Sequence, residues 1–138
     1  IRALSSSLGL DHVVVYTGHI SEARILEGLY ARADLFVFPS LYDNAPMVVR
    51  EAAAVGTPSL LALDSSAAEV IRDGHNGLLA RDTTPDMAER IAWALDHPEK
   101  LREIGSAARQ TIPKPWKDII SEALFRYDDL ISAKRQRR

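Results

Sequence analysis

Two carboxylates flank the predicted start of a helix in the stretch FPSLYDNAPMVVREAAAVGTPSLL, residues 38–61. Asp43 lies in the polar turn before this helix, and Glu51 lies inside it, eight residues further on. A helix N-terminus attracts negatively charged groups, because its first amides have no partner within the helix and its dipole is positive there. The spacing therefore indicates either a ligand site at the start of the helix or ordinary capping of that start.

The first turn of the same helix would supply amide groups for an anion. We expect Asn44 or Ala45 to precede this turn, so that the free amides of Met47 and Val48 point back toward the loop. Groups of this kind bind phosphates at many helix starts. The loop and the first turn together therefore predict a site for a phosphate-sized anion.

Glu51 lies on the side of the predicted helix that is open to the loop. On a helical wheel, Val48, Ala52 and Val55 share the predicted buried arc. The other side carries Met47, Arg50, Glu51 and Ala54. The alternative interpretation is that Glu51 is a solvated helix residue and that Asp43 only stabilises the helix dipole.

The composition is that of one soluble globular domain. The chain has 138 residues, of which 46% are hydrophobic and 26% are charged, so it can bury a substantial core. Its 17 basic and 19 acidic residues give a net charge of -2, which provides no excess positive field for nucleic acid. The lack of cysteine excludes disulfides, thiolate metal sites and a cysteine nucleophile, and it fits a reducing compartment. No apolar run approaches the roughly 20 residues that a transmembrane helix needs.

Apolar segments alternate with helical ones along the chain. Short runs rich in apolar and β-branched residues predict buried strands at 12–17, 34–39, 58–63 and 77–80. Apolar periodicity and Gly or Pro punctuation predict a first helix that ends near Gly9 and further helices at 22–32, 47–56, 66–74, 84–98, 98–110 and 117–133. Uniformly apolar strands that alternate with helices indicate a parallel sheet. The predicted fold is therefore α/β, a Rossmann-like open parallel sheet with helices on both faces.

The loops at one end of this sheet are the predicted place for a ligand. Ligands bind beyond the carboxyl ends of the strands in such folds, which selects the loops 17–21, 39–46 and 63–69. The chain has no Gly-x-Gly-x-x-Gly, no Walker loop and no histidine pair at helical metal-ligand spacing. The basic tail at 134–138 is typical of a solvated helix end, with contact to anionic lipid as the alternative.

The segment 9–80 carries a series of motifs in a fixed order. They are the strand before the turn at Gly18, then ADLFVFPS, a carboxylate with seven intervening residues before Glu-Ala, AVGTP, the glutamate before IRDG, and NGLL. In this order the chain resembles the donor-binding, C-terminal half of the retaining GT-B glycosyltransferases of family 4, the group 1 glycosyltransferases. The helical tail is similar to the family's closing helices, so the resemblance covers nearly the whole chain. It implies a single nucleotide-sugar-binding domain at 1–138, with the N-terminal acceptor domain absent from this sequence.

The resemblance implies a role for each candidate residue. Glu51 would accept hydrogen bonds from the ribose hydroxyls of a sugar nucleotide, and Asp43 would contact the donor sugar as the catalytic residue. The diphosphate would meet the loop and the first helical turn. These are formed by Asn44, Ala45, Pro46, Met47 and Val48.

Two further segments are implied to contact the nucleotide sugar. The turn of Gly18, His19 and Ile20 would hold the base, largely through backbone groups. The alternative for His19 is a plain turn histidine. Glu69 matches the glutamate of the family's Gly-Gly-x-x-Glu, and its alternative is an exposed helix carboxylate.

The chain departs from the family pattern at several positions. Asp43 replaces the usual glutamate, and Ser65 and Ser66 replace two glycines, which restricts close approach of the backbone. Arg50 replaces a usually apolar residue. The family's arginine and lysine that neutralise the diphosphate would lie upstream of Ile1. These departures bear on whether the parent protein is fully active.

The resemblance thus implies the donor half of a hexosyltransferase in polysaccharide biosynthesis. The parent would move a hexosyl unit from a UDP- or GDP-sugar to a glycan or lipid-linked acceptor, with retention and without a metal or other cofactor. The 138 residues alone would be inactive. The alternatives are a non-catalytic sugar-nucleotide-binding module and a GT-B sugar-nucleotide epimerase. The expected location is the cytoplasm or the membrane periphery, without a transmembrane segment and without nucleic acid as a partner.

Overall fold

The computed structural model describes residues 1–42 and 47–136, which form an α/β fold. Within these residues the strands are β1 (Phe36–Phe38), β2 (Ser59–Ala62) and β3 (Leu78–Ala80). The helices are α1 (Arg2–Ser7), α2 (Ala23–Arg32), α3 (Met47–Ala54), α4 (Thr84–Asp96), α5 (Pro98–Thr111) and α6 (Trp116–Gln136), with a 3-10 helix at Ser66–Val70. Each strand is followed by a helical segment, as the alternating pattern predicts.

The strands form a parallel sheet in the order β1-β2-β3. β2 lies in the centre, and all of its residues are buried. Val37 pairs with Leu60, which in turn pairs with Leu78, so apolar residues lie side by side across the sheet. Parallel neighbours need a long crossover, which the intervening helices provide. The predicted open parallel sheet is confirmed at three of the four predicted strand positions.

Each face of the sheet packs on its own apolar cluster, because successive strand residues point to opposite faces. The cluster on the α3 side consists of Val49, Ala53, Leu61, Ala67, Ile71, Ala108 and Ile112. The cluster on the α4 side consists of Leu60, Leu78, Ala80, Ala94, Leu101 and Ile104. Helix α5 contributes to both clusters, and the predicted coverage of both faces is confirmed.

Helix α5 approaches the end of α3 closely at a glycine. A Cβ atom at Gly105 would lie 2.2 Å from the carbonyl oxygen of Gly56 and 3.1 Å from Cδ of Pro58. Backbone and proline-ring atoms cannot swing aside, so only glycine fits at this position. Gly56 has a φ of +87°, the left-handed conformation that glycine adopts readily after a helix. The close contact therefore fixes the C-terminal end of α3 against α5.

Side chains occupy the outer edge of β3. The carbonyl of Ala80 accepts a hydrogen bond from the amide of Leu63, on the side of β3 that faces β2. The amide and carbonyl of the preceding residue, Leu79, therefore point to the opposite side, away from β2. The carboxylate of Asp73 accepts from the Leu79 amide at 2.9 Å, and Arg90 Nε donates to the Leu79 carbonyl at 3.1 Å. Arg90 and Asp73 also form an ion pair with each other. Both outward-facing backbone groups of the middle residue of β3 are thus satisfied.

The predicted strand at 12–17 is wrong. Residues 11–13 form a turn, in which the amide of Val13 donates to the carbonyl of Leu10. Val13 and Val15 are 61% and 84% exposed, so no sheet covers this segment. β-branched residues form a strand only where a neighbouring strand offers hydrogen bonds, and among the described residues no strand pairs with 12–17.

The predicted helix at 66–74 is shorter than expected and is a 3-10 helix that ends at Val70. The buried amide of Asn76 explains this end. Its Oδ1 accepts from the amide of Arg72 at 2.6 Å, and its Nδ2 donates to the carbonyl of Val70 at 3.1 Å. Nδ2 also donates to the hydroxyl of Thr111 on α5 at 2.9 Å. Side-chain bonds to the backbone compete with helical ones and here redirect the chain toward β3.

Helix α6 carries apolar side chains that stay exposed. Trp116 and Phe125 are each 68% exposed, and Leu130 is 67% exposed. Charged residues are interspersed with these apolar ones along the helix. In the part of the chain that the structure describes, no helix has the length and apolar character needed to cross a membrane.

Candidate functional site

The carboxyl ends of β1 and β2 lead into the segments that carry the candidate residues. β1 is followed by a loop and by α3 with Glu51, and β2 is followed by the 3-10 helix with Glu69. The carboxyl ends of parallel strands lie at one edge of a sheet, so both segments start from the same edge. Some of the predicted site residues lie outside the described part of the chain, namely Asp43, Asn44, Ala45 and Pro46.

Helix α3 covers Met47–Ala54 among the described residues, within the helix predicted at 47–56. Free amides at Met47 and Val48 stay a prediction, because the residues before Met47 lie outside the described part of the chain. Met47 is 50% exposed and Val48 is half-buried. Binding of a phosphate at this turn stays a prediction.

The buried face of α3 is rotated by about one position from the expected one. Val49, Ala52 and Ala53 are buried, whereas the expected Val48 and Val55 are only half-buried. The physical reason is that α3 packs against α2 on one flank and against α5 on the other. The contact with α5 draws the positions of Val49 and Ala53 into the core.

Glu51 is exposed and lines a groove between α2 and α3. The groove has a volume of about 220 Å³. Its other lining residues are Ala23, Leu26, Glu27, Tyr30, Ala54 and Val55. Burial raises the pKa of Tyr30, and the negative charge of Glu51 raises it further. The carboxylate of Glu51 therefore lies close enough to Tyr30 to act on its hydroxyl, and the ligand interpretation of Glu51 stays a prediction.

The turn of Gly18, His19 and Ile20 leads into α2. Gly18 has a φ of +67°, a left-handed conformation that favours glycine. A Cβ atom there would meet no atom within 4 Å, so crowding is not the reason for the glycine. His19 is exposed and Ile20 is half-buried. Helix α2 starts at Ala23, which lines the groove, but none of the three turn residues lines it. The turn thus lies near the groove along the chain without forming its wall.

The loop after β2 turns one of its two serines inward. Ser65 is 5% exposed, and its hydroxyl donates to the carbonyl of Ala62 at 2.7 Å. This hydroxyl is used within the loop and does not project toward a ligand. Ser66 and Glu69 are exposed. The exposed position of Glu69 leaves its carboxylate accessible at the same sheet edge as α3.

Arg50 makes a contact that local sequence patterns do not reveal. Its Nη1 donates to the carbonyl of Ile112 at 2.8 Å, across 62 positions of the chain. Ile112 caps the end of α5, where the last carbonyls have no partner within the helix. In the sequence, this bond is indicated only by the charge of Arg50 at a position where the family usually has an apolar residue.

The arrangement suits a ligand that carries both negative charge and hydroxyl groups. The predicted amide donors at the start of α3 would bind an anion, while the exposed Glu51 and Glu69 offer carboxylate oxygens to hydroxyls. Among the described residues, no group of three or more histidines and acidic residues could hold a metal ion.

The sequence matches a known family over most of its length. The family model described as Glycosyl transferases group 1 matches residues 1–111. A curated relative, the D-inositol 3-phosphate glycosyltransferase 2 of Catenulispora acidiphila, is 32% identical over 109 residues, which are 78% of this chain and 25% of the relative. The chain spans about a quarter of the length of the curated relatives that it matches first.

Solved structures of large proteins contain the same fold. Sucrose-phosphate synthase from Thermosynechococcus elongatus gives a TM-score of 0.82 at 25% identity, over 96% of this chain and 34% of that one. HepE of Anabaena in complex with UDP gives 0.75 at 23% identity, over 95% of this chain and 35% of that one. The open parallel sheet and its helices therefore match the Rossmann-like C-terminal domains of such structures.

Proposed function

Since the chain belongs to the Glycosyl transferases group 1 family, with the fold of a C-terminal GT-B domain, we propose that it is the donor-binding domain of a hexosyltransferase. The parent protein moves a hexosyl unit from a UDP- or GDP-sugar to a glycan or lipid-linked acceptor, with retention at the anomeric carbon. The observation that carries the proposal is the position of Glu51, exposed in the groove between α2 and α3.

Each part of the donor has a counterpart in this proposal. Glu51 accepts bonds from the ribose hydroxyls, and the amides of Met47 and Val48 bind the diphosphate. Asp43 contacts the sugar, the turn at 18–20 holds the base, and Glu69 offers a further acceptor. Fixed amide dipoles stabilise the departing diphosphate, so the reaction needs no metal.

The acceptor belongs to an N-terminal domain of the parent protein in this proposal. The cleft between the two domains forms the complete site, so the 138 residues alone bind the donor without transferring sugar. The parent works in the cytoplasm or at the membrane surface, in polysaccharide biosynthesis. The UDP complex of HepE makes UDP the first nucleotide to test.

Nucleoside diphosphates are expected to bind the chain with affinities on the order of millimolar, about 4 kcal/mol of binding free energy. Binding should be weak because, in this proposal, the cations that neutralise the diphosphate belong to the rest of the parent protein. The measurement is a titration of the isotope-labelled chain with UDP, GDP and ADP, followed by amide chemical shifts in NMR spectra. The shifts should cluster at 17–21 and 43–51. Shifts that cluster elsewhere under saturating nucleotide would overturn the proposed site.

Glu51→Gln is expected to weaken binding of the same nucleotides by about 2 kcal/mol, roughly thirtyfold, because the bonds it removes are charge-assisted. Glu27→Gln is the matched control, since Glu27 lines the same groove from α2. We expect the control to change the affinity less than about twofold. Equal losses in the two variants would mean that the groove acts only through its total charge.

The same variants report on the groove without any ligand. Glu51→Gln should lower the pKa of Tyr30, because the negative charge of Glu51 contributes to its elevation. A spectrophotometric titration of the tyrosines measures this. An unchanged Tyr30 pKa would place the Glu51 carboxylate away from the groove.

A further inference from the structure

Arg50 ties the start of α3 to the end of α5. Its guanidinium donates to the carbonyl of Ile112 at 2.8 Å, and Ile112 is 3% exposed. The carbonyls at a helix C-terminus carry partial negative charge and have no partner within the helix, so a cation suits them. This contact joins the turn that holds Glu51 to a fixed point of the core.

The opposite end of α3 is held by the close approach of Gly105 to Gly56. Arg50 is the fourth of the eight described residues of α3, so its bond to α5 lies on the N-terminal side of the Gly56 contact. The contacts of Val49 and Ala53 with the core are apolar and have no preferred direction. Within the described part of the chain, the bond of Arg50 therefore adds a directional contact beside the residue Glu51 of the candidate site.

Arg50 and Glu51 lie on different flanks of α3. Consecutive residues of a helix are about 100° apart around its axis. Arg50 contacts the end of α5, while Glu51 faces α2 and Tyr30 in the groove. Rotation of α3 about its axis would move both side chains together, so a bond that holds one also sets the place of the other.

We propose that Arg50 is a positioning residue of the donor site, which holds Glu51 at the ribose by fixing the rotation of the first turn of α3. The inference rests on the proposed function. Arg50 acts through Glu51 and does not itself contact the nucleotide. Loss of the bond should therefore impair recognition of the ribose more than recognition of the diphosphate.

The test compares affinities for UDP and 2'-deoxy-UDP, and for GDP and 2'-deoxy-GDP, by NMR titration of the chain. The deoxy nucleotides lack one of the hydroxyls from which Glu51 would accept a hydrogen bond. The parent chain should therefore bind the ribonucleotides roughly fivefold more tightly. Arg50→Met keeps most of the aliphatic stem and removes the donors. It should reduce this preference to less than about twofold. Arg50→Lys keeps one charged donor group and should restore part of the preference.

Arg102→Met is the matched control. Arg102 lies on α5, is exposed and pairs only with Glu99 in the adjacent turn among the described residues, so the ribose preference should stay at the parent value. A second measurement needs no ligand. Amide hydrogen exchange should become faster in α3 of Arg50→Met while it stays unchanged in β2, because only the start of α3 is released.

The outcomes separate this inference from the proposed function. If the parent chain binds none of the four nucleotides, the proposed function fails and the role of Arg50 fails with it. If the parent binds and Arg50→Met weakens ribo- and deoxynucleotides equally, the proposed function stands and the positioning role is overturned. An unchanged exchange rate in α3 would also overturn the positioning role.

Discussion

Gly105→Ala is expected to lower the free energy of unfolding by about 3 kcal/mol, at the upper end of what overpacking usually costs. The added methyl carbon would lie 2.2 Å from the carbonyl oxygen of Gly56, and neither backbone can yield locally. Helices α3 and α5 must move apart, which opens the core between them. Alanine improves the helix propensity at this position by about 1 kcal/mol, which offsets only part of the clash. The measurement is urea unfolding, in which the midpoint should fall while the slope stays the same.

Gly28→Ala is the control for this substitution. Gly28 also lies within a helix, α2, but a Cβ atom there would meet nothing within 4 Å. The same chemical change should therefore stabilise the chain by about 0.5–1 kcal/mol through helix propensity alone. If both variants gained stability, α5 would not approach α3 as closely as the structure shows.

Asn76→Ala is expected to cost about 3 kcal/mol of unfolding free energy, because its buried amide makes three hydrogen bonds. Its removal leaves the amide of Arg72 and the carbonyl of Val70 without their partner. Asn76 is 4% exposed, so water has little access to replace these bonds. The measurement is again urea unfolding, together with hydrogen exchange of the segment between the 3-10 helix and β3. That segment should open first.

Thr111→Val separates the contributions within this network. It removes the third partner of Asn76, but Thr111 is exposed and water can replace its hydroxyl. The expected cost is about 0.5–1 kcal/mol, well below that of Asn76→Ala. A cost as large as that of Asn76→Ala would show that stability depends on the link to α5 and not on the turn itself.

The elements that were predictable from the sequence are those whose partners lie in the described chain. The runs at 34–39, 58–63 and 77–80 form β1, β2 and β3, because each finds a neighbour in the same sheet. The run at 12–17 has the same β-branched character, yet it forms no strand in the absence of a paired neighbour. Local propensity favours a strand at all four runs, but a strand forms only where another strand provides hydrogen bonds.

The candidate site was predictable where it depends on helix periodicity. The exposure of Glu51 and the helix that contains it follow from local spacing, and both agree with the structure. The bond from Arg50 to Ile112 spans 62 positions, and the contact of Gly105 with Gly56 joins two helices. Contacts of this range depend on how whole helices pack, and a window of a few residues carries no information about them.

The side chains of Asp73 and Arg90 block the β3 edge of the sheet, so further strands can pair with it more easily at the β1 edge. A strand that approached β3 would find the amide and carbonyl of Leu79 already occupied, and it would have to displace charged groups to pair there. On β1 the corresponding groups of Val37 have no side-chain partner within the described residues, and Val37 is 38% exposed. Additional strands can therefore join only beside β1. The far end of the sheet resists edge-to-edge association, the first step by which exposed strands of neighbouring molecules begin to aggregate.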